Sequence, residues 1–221
     1  MERIKWKKNT RRYQRALKHN RFDHVVFVHI PKTAGKSIKI KLGMTPKTCH
    51  APISWYLKRY YDRDYRYFTF IRNPWDRLVS LYHYYKCKEQ SHNIVQKRID
   101  ESKTFEDFCY RLPGINILGL KSTIEKYESN ENILPYNFMP QVYWIDRKMD
   151  FIGRFENLQD DFRTLSKDFF GNEMELDIVV NTSDRIRDYR SFFNNKTRDA
   201  VASVYVEDIK RFGYSFDAVE S

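Results

Sequence analysis

Lys32, Thr33, Ala34, Gly35, Lys36 and Ser37 follow one another in the stretch "HVVFVHIPKTAGKSIKIKLG" at 24–43. Two ammonium groups, two hydroxyls and a small-residue turn at Ala34-Gly35 are what a chain needs to surround an oxyanion. The apolar, β-branched run at 24–30 reads as a buried strand, and 37–42 as the first turns of a helix that Gly43 stops. A strand, a tight turn and a helix N-terminus aim backbone N–H groups at one point, where the helix dipole favours negative charge. A phosphate or sulfate group is the expected occupant of residues 32–37.

The tail Ala34-Gly35-Lys36-Ser37 also matches the end of the nucleoside-triphosphate pattern G-x-x-x-x-G-K-[ST]. The first glycine of that pattern would fall at Ile30, a β-branched residue ending the strand, which lacks the backbone freedom glycine gives. A second strand bearing a magnesium carboxylate is not evident, since "VYWID" and "MDFIG" are poor imitations. A small-molecule kinase using ATP through Lys36 and Ser37 is the alternative reading, and no metal is expected.

A second constellation lies in "YFTFIRNPWDRLVSLYHYY" at 67–85. Arg72 leaves a strand where a helix begins, and Asn73-Pro74 is a helix start of capping residue plus proline at the first position. Ser80 comes seven residues after Asn73, about two helical turns, and so returns to the same face. Arg72 and Ser80 can converge on one phosphate, the arginine as a planar fork and the serine as a hydroxyl.

The elements that must position these residues are legible from period and punctuation. Strands are expected at 24–30, 66–72 and 150–155, with a further short one in "ELDIVV" at 175–180. Helices are expected after Pro52, from Pro74 with a stripe of Leu78, Leu81, Tyr82 and Tyr85, after Thr104, over 158–170 and over 197–212. Thr104 with Asp107 resembles a capping box. Strands separated by helices give an α/β fold with a parallel sheet.

Composition sets the outer bounds. With 221 residues, 41% hydrophobic and 16% aromatic, the chain can bury one substantial core. The net charge of +11 is uneven, because residues 1–21 hold nine Lys/Arg against one Glu. A basic arm over 1–21 and a single domain over 22–221 are therefore expected, and a noncatalytic polyanion-binding protein using the arm is a third reading. No apolar run reaches the ~18 residues of a membrane span, and the N-terminus lacks a signal-peptide core, so the chain reads as soluble and cytoplasmic. Cys49, Cys87 and Cys109 are too scattered for a disulfide framework or a zinc site. No specific nucleic acid is expected as a partner.

With both constellations in view, "FVHIPKTAGKSI" and "FTFIRNPWDRLVSLYHY" resemble the two cofactor motifs of sulfotransferases that use 3′-phosphoadenosine-5′-phosphosulfate (PAPS). The resemblance is closest to the branch of carbohydrate sulfotransferases and their small bacterial and viral relatives. "DFIGRFENL" at 150–158 and "YVEDIKRFGYSF" at 205–216 also look like this branch. One departure is Lys36, where many relatives carry threonine or serine. The resemblance implies a P-loop-like three-layer fold with a central parallel sheet flanked by helices. It implies that the first motif holds the 5′-phosphosulfate and the second the 3′-phosphate, with PAP (3′-phosphoadenosine-5′-phosphate) as product. It implies that Lys32 meets the bridging oxygen, and that the acceptor is a hydroxyl, expected to be that of a carbohydrate.

A hydroxyl acceptor needs a base, and the chain has six histidines. His19, His24 and His92 read as surface residues, His29 as a core histidine, and His83 as a neighbour of Ser80. His50 lies between the two motifs, in "KTCHAPISWY", where relatives often place a histidine. It is the expected base, with a carboxylate as the alternative. Arg154 and Glu156 are expected to orient a strand end, and Arg185 or Arg187 to close over cofactor or substrate.

Overall fold

The computed structural model describes residues 21–22, 24–45, 50–60, 64–87, 99–112, 136–177 and 188–217. In chain order the elements are strands β1 (Arg21–Phe22) and β2 (Val25–Phe27), helices α1 (Gly35–Lys41) and α2 (Ile53–Tyr60), and strand β3 (Arg66–Ile71). Helices α3 (Pro74–Lys86) and α4 (Phe105–Arg111), strand β4 (Phe151–Arg154), and helices α5 (Leu158–Phe170), α6 (Asn195–Val204) and α7 (Val206–Phe212) follow. They divide into two compact units, the first of residues up to 71 with 143–181, the second of 72–142 with 182–220.

The first unit is built on one sheet of order β1-β2-β3-β4, in which β2, β3 and β4 run parallel and β1 is antiparallel. The fold is thus α/β with a mostly parallel central sheet. Strand period places Val25, Phe27, Phe68 and Phe70 on one face, where Ile38 of α1, Leu42 just after it, and Phe162 and Leu165 of α5 cover them. Phe27 and Phe68 stand opposite one another in register and stack at 4.7 Å. Five of the six residues of β3 are buried, as a parallel strand covered on both faces requires. Gly153 of β4 faces Phe70, and a Cβ there would lie 2.4 Å from that ring.

Two strand expectations change. The 24–30 run is regular only over Val25–Phe27, with the Val28 amide still donating to the Phe68 carbonyl at 2.9 Å. The described part of "ELDIVV", 175–177, is not a strand. The Leu176 amide and carbonyl are instead both taken by the Gln159 side chain, at 3.1 and 2.9 Å, so no neighbouring strand is needed to satisfy them. The last residue of the expected basic arm, Arg21, belongs to the sheet through its pairing with Val26, while residues 1–20 lie outside those described.

The second unit is helical. Asn73 accepts from the Trp75 amide at 3.1 Å, and Pro74 opens α3 as expected. Trp75, Leu78, Leu81, Tyr82 and Tyr85 bury against Phe108 of α4 and Val201 and Tyr205 of the C-terminal helices. The Thr104 hydroxyl accepts from the Asp107 amide, capping α4. The single helix expected over 197–212 is two, bent at Tyr205 (φ −105°, ψ 25°). Two buried demands accompany the bend: the Tyr205 hydroxyl donates to the Phe138 carbonyl at 2.8 Å, and Asp208 accepts from the amides of Gln141 and Val142.

Candidate functional site

The loop after β2 is strained in a particular way. Lys32 and Ala34 take left-handed backbone conformations, φ 69° and 61°, while Thr33 between them does not. Each such residue costs about 1–2 kcal/mol when it carries a Cβ. Local bonds offset part of that cost: Thr33 Oγ1 donates to the Ile30 carbonyl at 3.0 Å, and the Ile38 amide donates to the Ala34 carbonyl at 3.2 Å. Alternation of this kind turns successive N–H groups toward one concavity, the arrangement proteins use for anions. Thr33, Gly35 and Ser37 are buried, Lys32 and Ala34 are half-buried, and Lys36 is exposed. Ile30, where a triphosphate loop would carry glycine, is fully buried.

Gly35 answers to a side chain that lies before the loop, on the strand side of the same motif. A Cβ at position 35 would stand 2.0 Å from Nε2 and 2.1 Å from Cδ2 of His29. The His29 ring is buried, lies 5.2 Å from Phe27 in a stacked pair and sits 4.5 Å from the His50 ring. As expected it is a core histidine, but it is also the floor on which the loop rests. Its Nδ1 has no hydrogen-bond partner among the described residues.

His50 precedes α2, whose first turn is pinned by the Ile53 amide on the Trp144 carbonyl (2.9 Å) and the Ser54 amide on Asp146 Oδ1 (3.0 Å). His50 Nδ1 lies 2.7 Å from the His29 carbonyl oxygen. A carbonyl only accepts, so Nδ1 carries the proton and Nε2 holds the lone pair. Burial lowers the His50 pKa to about 4, helped by the charge of Lys39 and opposed by that backbone bond. His29 is lowered well below its ordinary value by burial, then by His50 and Lys39. His50 is half-buried, and its ring is neutral at neutral pH. Lys39, fully buried on α1, is a charge near the site that the loop motif gave no reason to single out.

The second unit holds Arg72 and Ser80, both buried, the latter on α3 as its spacing requires. Arg72 Nε and Nη2 reach Asp76 Oδ2 at 2.7 and 2.6 Å. The Arg72 peptide is gripped separately: its N–H donates to Gln141 Oε1 at 2.9 Å, and its carbonyl accepts from Gln141 Nε2 at 2.7 Å. Asp208 holds Gln141 in turn through its amide at 2.8 Å and its Nε2 at 3.3 Å. Burial pushes the Asp208 carboxyl up, against Arg77 and the amide donors, which pull it down. His83, on α3 with Ser80, has its ring edge-on to Phe192 at 5.0 Å.

Of the residues the sequence singled out, the first unit brings together 32–37 and His50, and the second holds Arg72 and Ser80. Asp76 had a signal, the i, i+4 spacing from Arg72. Gln141, 69 residues downstream of Arg72, had none, and Asp208, 136 residues downstream, falls in the quoted stretch 205–216 with nothing there to single out its carboxylate. Arg154 and Glu156 sit at the end of β4, where the Arg154 amide donates to Asp161 at 2.6 Å. Cys49, His19, His92, Arg185 and Arg187 lie outside the described residues. Among the described residues no group of His, Cys, Asp and Glu is placed to hold a metal ion, and no helix is long and apolar enough to cross a membrane.

A family model described as "Sulfotransferase family" matches residues 15–215. The chain is also 28% identical over 126 residues to an uncharacterized protein of Archaeoglobus fulgidus, covering 57% of this chain and 83% of that protein. No solved structure matches.

Proposed function

The chain belongs to the sulfotransferase family, and from that premise we propose that it moves the sulfuryl group of PAPS onto a hydroxyl, that of a carbohydrate, by in-line displacement. The observation that supports this reading most is the strained loop resting on His29, beside a neutral His50 whose Nε2 holds the lone pair. The residues suit a nucleotide anionic at both ends. Amides of 32–37 and the Ser37 hydroxyl form one anion seat, the Thr33 hydroxyl being committed to the Ile30 carbonyl, and the forked guanidinium of Arg72 with the Ser80 hydroxyl forms another.

Bound, PAPS supplies an activated sulfuryl group whose bond to the 5′-phosphate oxygen breaks as the acceptor oxygen bonds sulfur. The chain contributes positioning and charge, as transfers of this type demand. Lys32 carries its ammonium from the left-handed turn to the departing oxygen, where charge develops. His50 Nε2 takes the proton of the acceptor hydroxyl, a role worth about 10²–10⁴-fold in rate. The imidazolium so formed keeps its Nδ1–H on the His29 carbonyl, which strengthens that bond. Arg72 and Ser80 take the 3′-phosphate. Residues 22–221 act as one catalytic domain, and the basic arm over 1–21 is suited to an acidic glycan.

Calorimetric titration with PAP, with ATP plus magnesium as control, tests the reading. Tight PAP binding that Arg72→Ala and Lys32→Ala each weaken at least tenfold, with little ATP binding, is the expected result. Magnesium-dependent ATP binding without preference for PAP would overturn it in favour of a kinase.

A further inference from the structure

We propose that Asp76 and Gln141 are the positioning residues that make this protein selective for a 3′-phosphorylated nucleotide, by holding Arg72 through its side chain and its peptide at once. The inference rests on the reading of Arg72 as the 3′-phosphate ligand and extends it to residues that need never touch the nucleotide.

Arg72 is the first residue after β3, so its peptide leaves the sheet while still buried. The last ladder bond of that strand is the Phe155 amide on the Ile71 carbonyl, 2.7 Å. One residue later the Gln141 side chain supplies what a neighbouring strand would have supplied, an acceptor for the Arg72 N–H and a donor for its carbonyl. A primary amide is the side-chain group that can do both with one planar head. Gln141 is itself fully buried and anchored on Asp208, whose second oxygen takes the Val142 amide at 2.9 Å. The origin of the arginine side chain is therefore fixed through a chain of bonds that water does not reach.

Asp76 fixes the other end. One carboxylate oxygen receives both Nε and Nη2 of Arg72, which sets the plane of the fork, and both side chains are over nine-tenths buried. Arginine has a long side chain with much rotamer freedom, and a phosphate that must order it loses affinity for doing so. Here that ordering is complete before the ligand arrives. The benefit falls only on a ligand that meets Arg72, which is why the effect must appear as selectivity between nucleotides and not as general affinity.

The test is calorimetric titration of the full chain with PAP and with adenosine 5′-monophosphate, which lacks the 3′-phosphate. Wild type is compared with Arg72→Ala, Asp76→Asn, Asp76→Glu and Gln141→Ala, each first checked for a cooperative melt. Arg72→Ala is expected to lower the PAP-to-monophosphate affinity ratio at least tenfold. Asp76→Asn and Gln141→Ala are expected to lower it three- to tenfold with monophosphate affinity within twofold of wild type. If one variant fails to fold, the others decide, and Asp76→Glu, which keeps the charge but displaces the carboxylate, is expected to lose selectivity as well. An unchanged ratio in Arg72→Ala would overturn the assignment of Arg72 itself. A lowered ratio there, with the ratio kept in the folded Asp76 and Gln141 variants, would overturn the positioning role alone. Equal losses for both nucleotides in those variants would overturn it too, by marking a merely structural effect.

Discussion

Gln141 and Gln159 make the same pair of hydrogen bonds in different units of the protein. Each grips the N–H and the carbonyl of one distant residue, Arg72 in the first case and Leu176 in the second. Gln159 is exposed near the start of α5, whereas Gln141 is fully buried and held by Asp208. The two glutamine heads thus stand in opposite surroundings, although Leu176 is buried as Arg72 is, and what can replace each head decides its worth. Water can replace an exposed amide at little net cost, but a buried donor or acceptor left without a partner costs about 1–3 kcal/mol. Gln141→Ala orphans two such groups on Arg72, so it should lower the unfolding free energy by about 2–6 kcal/mol, while Gln159→Ala, whose exposed head water can replace, should lower it by less, about 1–2 kcal/mol. Urea titration of the two variants side by side checks this, and equal losses would dissolve the contrast.

Two glycines of the first unit extend the comparison between a site and its scaffold. Gly35 yields its Cβ space to the His29 ring, and Gly153 yields its own to Phe70. The Gly153→Ala clash falls within the sheet, and overpacking there should cost about 1–3 kcal/mol of stability and leave PAP affinity unchanged. Gly35→Ala displaces a loop that already carries two left-handed residues, and the alanine itself can be seated only if His29 moves. PAP affinity should therefore fall at least tenfold, and the double variant Gly35→Ala/His29→Ala should regain most of it. A titration in which the double variant binds no better than Gly35→Ala would remove His29 as the floor of the loop.

The histidine pair sharpens the contrast further by giving the first unit a pH dependence. Both rings are held below their ordinary pKa by burial, His50 to about 4. Above about pH 6.5, the ordinary histidine value, both are neutral in the folded and the unfolded chain. Between there and about pH 4 the unfolded chain binds protons that the folded chain refuses, so stability falls as pH falls. Each histidine contributes a slope of up to about 1.4 kcal/mol per pH unit in that window, and that of His50 levels off once it protonates in the folded state. The variant His29→Asn/His50→Asn should show a flatter dependence between pH 6.5 and 4.5, read by urea unfolding across the range. An unaltered slope would mean that neither ring is kept neutral by folding.

The legibility of the molecule followed the range over which its causes act. Helices α3 and α5 were readable because their caps and stripes are local, Asn73-Pro74 at one end and Gly171 at another. Strands β3 and β4 showed as apolar runs between turns. The loop at 32–37 was visible as a motif, yet the reason for Gly35 was not, since the His29 ring reaches it through the fold and not through spacing. Gln141 was invisible for the same reason, compounded by distance along the chain, and Asp208 showed only as one residue of the stretch 205–216, with nothing to tie it to Gln141. The described part of "ELDIVV", 175–177, is not strand because a side chain, here Gln159, takes the place of a neighbouring strand at Leu176, which composition does not reveal. The bend at Tyr205 was hidden because no proline or glycine marks it, only buried partners for Tyr205 and Asp208.

The smallest expected effect concerns charge. Of the net +11, residues 1–21 carry +8, so most of the imbalance belongs to a segment whose one described residue, Arg21, pairs with Val26 in the sheet. A chain lacking residues 1–20 keeps β1 and every residue assigned to the nucleotide. At about 0.1 M salt the screening length is about 10 Å, so charges outside the site add little to equilibrium binding of a small anion. PAP affinity should therefore stay within twofold of the full chain, whereas affinity for a sulfated or uronic-acid-rich oligosaccharide should drop and become less sensitive to salt. Parallel titrations with PAP and with such an oligosaccharide separate the two contributions. Loss of PAP binding on truncation would place the arm in the nucleotide site and revive the view of the whole protein as a polyanion binder.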